Sequence, residues 1–233
     1  MQLTIYAFTI ALSSILARIA SHPHFPQTPT ISFVEQRDTQ PIVPNHHDFP
    51  LRVLPLGASI TYGQGSTDGI GYRDFVRGLL QQRDTVVDMV GTVRAGLMKD
   101  NQCEGYPGAR VDQVTAFSAH AIRYQPNLIL INAASNDAIL DSPTFPVDKV
   151  GERMDRLLDT LFEKIPDTTI VLSTLLINTH NGVDPRIRKI VNPQYQAIVK
   201  RRQDNKQRIV LADMYPAIDA KDLVDGTHPN DNG

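Results

Sequence analysis

The chain has 233 residues, 41% of them hydrophobic, and a formal net charge of −2 at pH 7. That length and composition fit one globular domain with a single core. The balanced charge, with no run of Lys and Arg interleaved with aromatic residues, argues against a nucleic-acid partner. Cys103 is the single cysteine, so the chain can form no internal disulfide and has no cysteine pair with a metal-ligand spacing.

Two segments precede the regular part of the sequence. Residues 3–20 form an apolar stretch that ends in small residues, which predicts a signal peptide over residues 1–20 and a secreted, extracellular protein with no stable membrane association after its removal. No Lys or Arg precedes the stretch and Arg18 lies near its end, so a membrane anchor and a wrong gene start stay open. Residues 21–50 are rich in proline and polar residues, which predicts an extended linker.

From residue 51 onward, short apolar runs alternate with longer amphipathic stretches. The apolar runs predict strands over residues 52–56, 86–90, 128–132, 169–175 and 208–212. Periods near 3.6 predict helices over residues 71–82, 110–124, 147–165 and 192–205. This alternation predicts an α/β domain over residues 51–233 whose mainly parallel sheet is covered on both faces. Ligands bind beyond the carboxyl ends of such strands, so candidate residues follow the apolar runs.

The first predicted strand ends in a glycine-flanked turn that carries Ser59. The sequence there is GASITYG, residues 57–63, which places a hydroxyl near the start of a helix. Two functional motifs are excluded, because Thr61 replaces the second glycine of a nucleophile elbow and no lysine follows as in a phosphate-binding loop. A helix cap made by Ser59 or Thr61 remains an equally simple interpretation.

A second polar motif lies near the last residues of the chain. Asp225 and His228 are three residues apart in the segment DGTHPN, residues 225–230. A tight turn can direct the carboxylate to the ring Nδ1 of the histidine and leave Nε2 free as a base. The same residue types favour an ordinary surface turn, so this motif alone does not decide between the two.

Taken together, these motifs resemble the four ordered blocks of SGNH (GDSL-like) hydrolases from residue 51 to the last residue. The serine block is similar to residues 57–61, the glycine block to EGYPG (104–108), the asparagine block to ASND (134–137), and the Asp-X-X-His block to residues 225–228. The resemblance implies a three-layer α/β/α sandwich of flavodoxin-like type. It also implies that Ser59 is the nucleophile, His228 the general base and Asp225 the residue that orients the histidine.

The same resemblance implies how a negative charge on the substrate oxygen is bound. The backbone N–H groups of Ser59 and Gly108 and the side-chain amide of Asn136 are expected to form an oxyanion hole, with no metal and no cofactor. Gly105 competes with Gly108 for this assignment. A glycine can also serve only a tight turn, and an asparagine only a loop hydrogen bond.

The sequence departs from the family pattern at three places. Ala58 stands where the family often has Asp, and Ala134 where it commonly has Gly, which matters because alanine resists positive φ. Family members also continue into a closing helix after the Asp-X-X-His block, and we expect that helix to be lacking here. On that basis only Pro229 and the contact with Asp225 are expected to restrain His228.

Within the family, the amino-acid sequences of the blocks most resemble those of fungal-type carbohydrate esterases that remove acetyl groups. The expected function is therefore hydrolysis of a carboxylic ester through an acyl-serine intermediate, on a small-molecule or polysaccharide ester. A lysophospholipase- or thioesterase-like acyl hydrolase and a non-catalytic, truncated carbohydrate-binding relic remain the alternatives. The sequence does not define the oligomeric state.

Overall fold

A computed structural model of the protein describes residues 50–83 and 86–233. The predicted signal peptide, residues 1–20, and all of the predicted linker except Pro50 lie outside the described residues. The described part contains one seven-stranded sheet. Its strands are β1 (Leu51–Gly57), β2 (Val87–Met89), β3 (Val93–Arg94), β4 (Gln102–Gly105), β5 (Leu128–Asn132), β6 (Thr169–Ser173) and β7 (Ile209–Ala212).

Helices connect most of these strands. They are α1 (Ser59–Tyr62), α2 (Arg73–Gln81), α3 (Val111–Ala121), α4 (Ser135–Ile139), α5 (Val150–Lys164), α6 (Val183–Arg186) and α7 (Asn192–Asp204). Short 3₁₀ turns lie at Ile122–Tyr124, Val147–Lys149, Tyr215–Ala217 and Ala220–Asp222. A π-helical turn, Ile187–Val191, joins α6 to α7.

The sheet is parallel except at one edge. β1 pairs in parallel with β5, which leads through β6 to β7. On its other side, β1 pairs first with β2 and then, at its carboxyl end, with β4. β3 alone runs antiparallel, beside β4. Parallel strands in the order β2-β1-β5-β6-β7 give the flavodoxin-like arrangement that the sequence predicted.

Both faces of the sheet are covered by helices. Along β1 and β5, alternate residues belong to two different apolar clusters, because successive side chains of a strand point to opposite faces. One cluster contains Leu54 and Ile129 with residues of α3, α5 and α7. The other contains Val53 and Leu128 with residues of α2. These two layers of helices around one sheet confirm the predicted three-layer sandwich.

Two strands were not predicted from the sequence. β3 has two residues, and β4 carries polar Gln102 and Glu104. Glu104 is nevertheless fully buried. Its Oε1 accepts a hydrogen bond from the N–H of Thr92 and its Oε2 one from the hydroxyl of Tyr106, both at 2.6 Å. Such hydrogen bonds make a buried carboxylate tolerable in a strand.

Candidate active site

The turn after β1 places Ser59 at the first position of α1. Gly57 is required there, because a Cβ on it would lie 2.0 Å from the carbonyl oxygen of Asn132 in β5. Ala58 precedes the helix with a negative φ of −112° and makes no capping hydrogen bond. Ser59 is only 6% exposed. Its hydroxyl therefore does not cap α1, and its partner lies elsewhere.

That partner is His228, which is separated from Ser59 by 169 positions along the chain. The Nε2 atom of His228 lies 2.8 Å from the Oγ of Ser59, and Nδ1 lies 2.7 Å from Oδ2 of Asp225. Gly226, with a φ of +88°, makes the tight turn between the two residues. Any other residue would be strained at this positive φ, and its Cβ would lie 2.4 Å from the Oγ1 of Thr179.

The ionisation state of the Asp225 carboxyl follows from its hydrogen-bond partners. Burial acts to raise the pKa of this carboxyl, but hydrogen bonds from the backbone N–H and ring of His228 and from the N–H of Thr227 outweigh it and lower the pKa to about 2. An ionised carboxylate can only accept, so Nδ1 of His228 donates to Asp225. In the neutral ring, Nε2 then accepts the hydrogen bond from the Ser59 hydroxyl.

The segment that carries His228 is held by more contacts than the sequence predicted. A backbone bridge joins Leu223 to Pro229, and the N–H of Val224 donates to the carbonyl of His228 at 2.8 Å. The side chain of Asp231 also bonds Thr67, which follows α1. The expectation that only Pro229 and Asp225 restrain the histidine was wrong, because it considered contacts within the motif alone.

The structure distinguishes the roles of the two candidate glycines, Gly105 and Gly108. Gly105 lies in β4, where a Cβ would be 2.6 Å from the backbone nitrogen of Tyr62, so it serves the close approach of α1 to β4. Gly108 is exposed, has a φ of +82° and leaves open space where a Cβ would be. Among the described residues, the N–H of Gly108 has no hydrogen-bond acceptor. It is thus the candidate of the two that is free to bind a ligand.

Asn136 lies beside the Gly108 loop. Its Nδ2 donates to the carbonyl of Ala109 at 3.0 Å, and because a side-chain amide has two N–H groups, the other remains for a ligand. Two positions earlier, Ala134 has a φ of +100°. An alanine pays roughly 1–2 kcal/mol for such a conformation, and strain of this kind is often found at functional sites.

A buried ion pair that the sequence did not predict anchors this loop. Asp137, fully buried, accepts hydrogen bonds from the Nε and Nη2 of Arg153 at 3.1 and 3.0 Å and from the N–H of Val111 at 3.1 Å. Burial raises the pKa of Asp137, against the lowering effect of the hydrogen bonds from Val111 and Arg153. The pair joins α4, which carries Asn136, to α5, and the hydrogen bond from Val111 joins α4 to the start of α3, which follows Gly108.

We expect Asp137→Ala to lower the free energy of unfolding by about 3–5 kcal/mol, because it leaves the guanidinium of Arg153 buried without its main partner. Chemical denaturation measures this change. Arg156→Ala is the matched control, since that side chain is 60% exposed and pairs with Asp112 at 3.4 Å. Its effect should stay within about 1 kcal/mol. Equal, small effects of the two variants would show that the buried pair does not anchor the loop.

Two features are absent from the part of the chain that the structure describes: a cluster of metal-ligating side chains and a membrane-spanning helix. Within residues 50–83 and 86–233, no group of three or more His, Cys, Asp or Glu side chains is placed to hold a metal ion. In the same part of the chain, no helix is long and apolar enough to cross a membrane.

Comparison with known proteins identifies a family and several structures of similar fold. The profile of the GDSL-like lipase/acylhydrolase family matches residues 56–233. A multidomain esterase of Ruminococcus flavefaciens is 29% identical over 215 residues, covering 78% of this chain and 27% of that protein. The family 3 carbohydrate esterase of Clostridium thermocellum has a TM-score of 0.69 at 20% identity, with 79% of this chain and 90% of that chain covered. A family 3 carbohydrate esterase of Talaromyces cellulolyticus has a TM-score of 0.65 at 19% identity, with 78% and 89% covered.

Fold and site together define an α/β/α sandwich with a serine, a histidine and a carboxylate joined at the carboxyl edge of its sheet. The chain belongs to the GDSL-like lipase/acylhydrolase family. This confirms the family and the enzyme class, carboxylic ester hydrolase, that the sequence blocks predicted. The chain spans little more than a quarter of its multidomain relative, 27% of the length.

Proposed function

We propose that the chain hydrolyses carboxylic esters through an acyl-serine intermediate formed on Ser59. The observation that carries this proposal is the chain of two short hydrogen bonds, 2.8 Å from Ser59 to His228 and 2.7 Å from His228 to Asp225. A hydroxyl hydrogen-bonded to a base that is itself oriented by a third group is the arrangement of an activated nucleophile.

The proposed reaction proceeds in two halves. Nε2 of His228 takes the hydroxyl proton while the Oγ of Ser59 bonds the ester carbonyl carbon, and the carbonyl oxygen becomes negative. The bond to the alcohol then breaks, and the protonated His228 gives its proton to the leaving oxygen. Water repeats these steps on the acyl-serine, which releases the carboxylic acid and restores Ser59.

The developing negative charge needs donors placed in advance. The N–H of Ser59 lies in the first turn of α1, where a helix offers its own N–H groups no acceptor. Within residues 50–83 and 86–233, the N–H of Gly108 and the second amide hydrogen of Asn136 have no acceptor either. These three donors are our proposal for the oxyanion hole.

We expect Asn136→Ala to lower kcat by about a hundredfold with little change in KM, because its amide acts mainly on charge that appears in the transition state. Steady-state kinetics with an aryl acetate measures this, and the melting temperature shows whether the lost bond to Ala109 disturbs the fold. Ser135→Ala, the neighbouring half-exposed residue, is the matched control. If Asn136→Ala keeps the wild-type kcat, Asn136 has only a structural role.

For the substrate, we propose an acetylated carbohydrate. Support comes from the relatives that share the family or fold and bear esterase and carbohydrate-esterase names. Secretion belongs to the same proposal, since a polymeric substrate lies outside the cell, and it rests on residues 1–20. The competing possibility is a lysophospholipase- or thioesterase-like hydrolase that acts on longer acyl groups.

The test is a panel of p-nitrophenyl esters of increasing acyl length beside acetylated xylan, with Ser59→Ala as the blank. We expect the acetyl ester to have the highest kcat/KM and acetate to be released from the polymer. Faster hydrolysis of longer acyl groups, with no acetate from xylan, would favour the lipid or thioester alternative. No hydrolysis of any ester would favour the non-catalytic relic.

A further inference from the structure

The loop that follows α1, residues 63–71, contacts His228 through the backbone of Gly65. Within residues 63–71, Gly65 has a φ of +100°, and a Cβ on it would lie 2.8 Å from the Cβ of His228 and 2.5 Å from the carbonyl oxygen of Pro229. The backbone at Gly65 therefore packs directly on the histidine. No side chain larger than hydrogen fits between them.

Two residues further along this loop, Thr67 forms two hydrogen bonds with the side chain of Asp231, which follows His228 in the chain. We call this pair of hydrogen bonds the clasp. The carboxylate of Asp231 accepts from the N–H of Thr67 at 2.8 Å and from its hydroxyl at 2.6 Å. These hydrogen bonds lower the pKa of Asp231. Both oxygens of one carboxylate are thus engaged by a single residue, 164 positions away in the chain.

The loop is a fixed support for this clasp. Arg73, at the start of α2, is fully buried. Its guanidinium donates to the carbonyls of Tyr62, Gly69 and Ile70 at the two ends of the loop, and to those of Ala95 and Asn101 between β3 and β4, at 2.9–3.1 Å. Ser66 adds a hydrogen bond of 3.0 Å to the carbonyl of Gly63. Thr67 is therefore held in place relative to Ser59.

Besides the packing of Gly65 on His228, the other hydrogen bonds of the His228 segment in the described part of the chain do not reach the loop of residues 63–71. The bond between Val224 and His228 is internal to the segment. On the far side, the amide of Asn178 donates to the hydroxyl of Thr227 at 2.9 Å, which ties the segment to the loop after β6. Among the described residues, the hydrogen bond of His228 to Ser59 connects this segment to α1, and the clasp connects it to the loop that follows α1.

We propose that Thr67 and Asp231 are positioning residues, and that their clasp keeps Nε2 of His228 within reach of the Ser59 hydroxyl. The inference rests on the proposed function, since it assumes that His228 is the base. Loss of the clasp leaves the substrate-binding surface in place but lets the histidine move from the nucleophile. Because a misplacement of about 1 Å can cost about a hundredfold in rate, the expected loss is in kcat and not in KM.

The test compares four variants by steady-state kinetics and melting temperature. Asp231→Ala removes both acceptors, Thr67→Val removes only the hydroxyl at nearly constant shape, and the double variant removes both sides. Thr67→Ser keeps the hydroxyl and removes only the methyl group. Asn232→Ala, an exposed neighbour of Asp231, is the matched control.

We expect Asp231→Ala to lower kcat about ten- to a hundredfold with KM unchanged. Thr67→Val should give a smaller loss, Thr67→Ser and Asn232→Ala almost none, and the double variant no more than Asp231→Ala, because both single changes remove the same contact. A wild-type kcat in Asp231→Ala, or losses that multiply in the double variant, would overturn the clasp. Ser59→Ala is measured in the same assay. If it is inactive while the clasp variants are normal, only this inference fails, and if it stays active, the proposed function fails first.

Discussion

Replacing Ser59 with alanine is expected to lower kcat/KM by about 10⁴-fold or more, because no other group in the proposed reaction can form the acyl intermediate. The fold should survive, since the hydroxyl of Ser59 caps no helix and its bond is to His228. Initial rates with p-nitrophenyl acetate and the melting temperature measure the two effects.

The control for Ser59→Ala is Ser142→Ala, a serine outside the proposed site whose hydroxyl accepts a hydrogen bond of 3.3 Å from the N–H of Phe145. That variant should keep most of the turnover. A Ser59→Ala protein that retains more than about a tenth of the wild-type turnover would contradict the nucleophile assignment.

The second large effect is expected for Asp225→Asn, which should lower kcat by about 10³–10⁴-fold near neutral pH. The amide N–H of asparagine would donate to Nδ1 of His228 and move the ring proton to Nε2. That nitrogen could then no longer accept the proton of Ser59. Steady-state kinetics measures the loss, with Asp219→Asn as an exposed carboxylate control on the same segment. Equal kcat values for the two variants would show that Asp225 does not set the tautomer.

The lowered pKa of Asp225 also fixes a direction for the pH dependence. With a pKa of about 2, this carboxyl stays ionised throughout the range of an ordinary assay. The unfolded chain has the higher pKa, so the contribution of Asp225 to stability is present above about pH 4 and is lost as the pH falls toward the folded value. Activity should therefore show no step from Asp225 above about pH 4.

Much of the fold could be predicted because its central elements carry simple patterns. β5 has the predicted bounds, Leu128–Asn132, since every residue in it is buried and apolar except the last. The long helix α5 was predicted together with the 3₁₀ turn that precedes it. α1, α4 and α6 are too short for a 3.6-residue period to show, and β4 contains a charged residue whose burial depends on partners in other loops.

The candidate site was predicted less completely than the fold. The residues joined by short hydrogen bonds, Ser59, His228 and Asp225, lie in recognisable blocks, so the resemblance found them. The pair of Asp137 and Arg153 and the clasp of Thr67 and Asp231 depend on contacts between distant parts of the chain, and no local pattern marks them. Ala134 stands where the family commonly has glycine, so the sequence left the shape of this turn undefined; the structure gives Ala134 a φ of +100°, a conformation that alanine resists.

The most direct test of the account is covalent labelling with an aryl phosphonofluoridate, a reagent that phosphonylates serines activated by a base. The wild-type protein, digested and analysed by mass spectrometry, should carry one phosphonyl group, on the peptide that contains Ser59. Ser59→Ala should remain unlabelled, and His228→Ala should be labelled far more slowly, since Ser59 would lack its base. Labelling of another serine, or equal labelling rates in the wild type and His228→Ala, would contradict the claim that His228 activates Ser59.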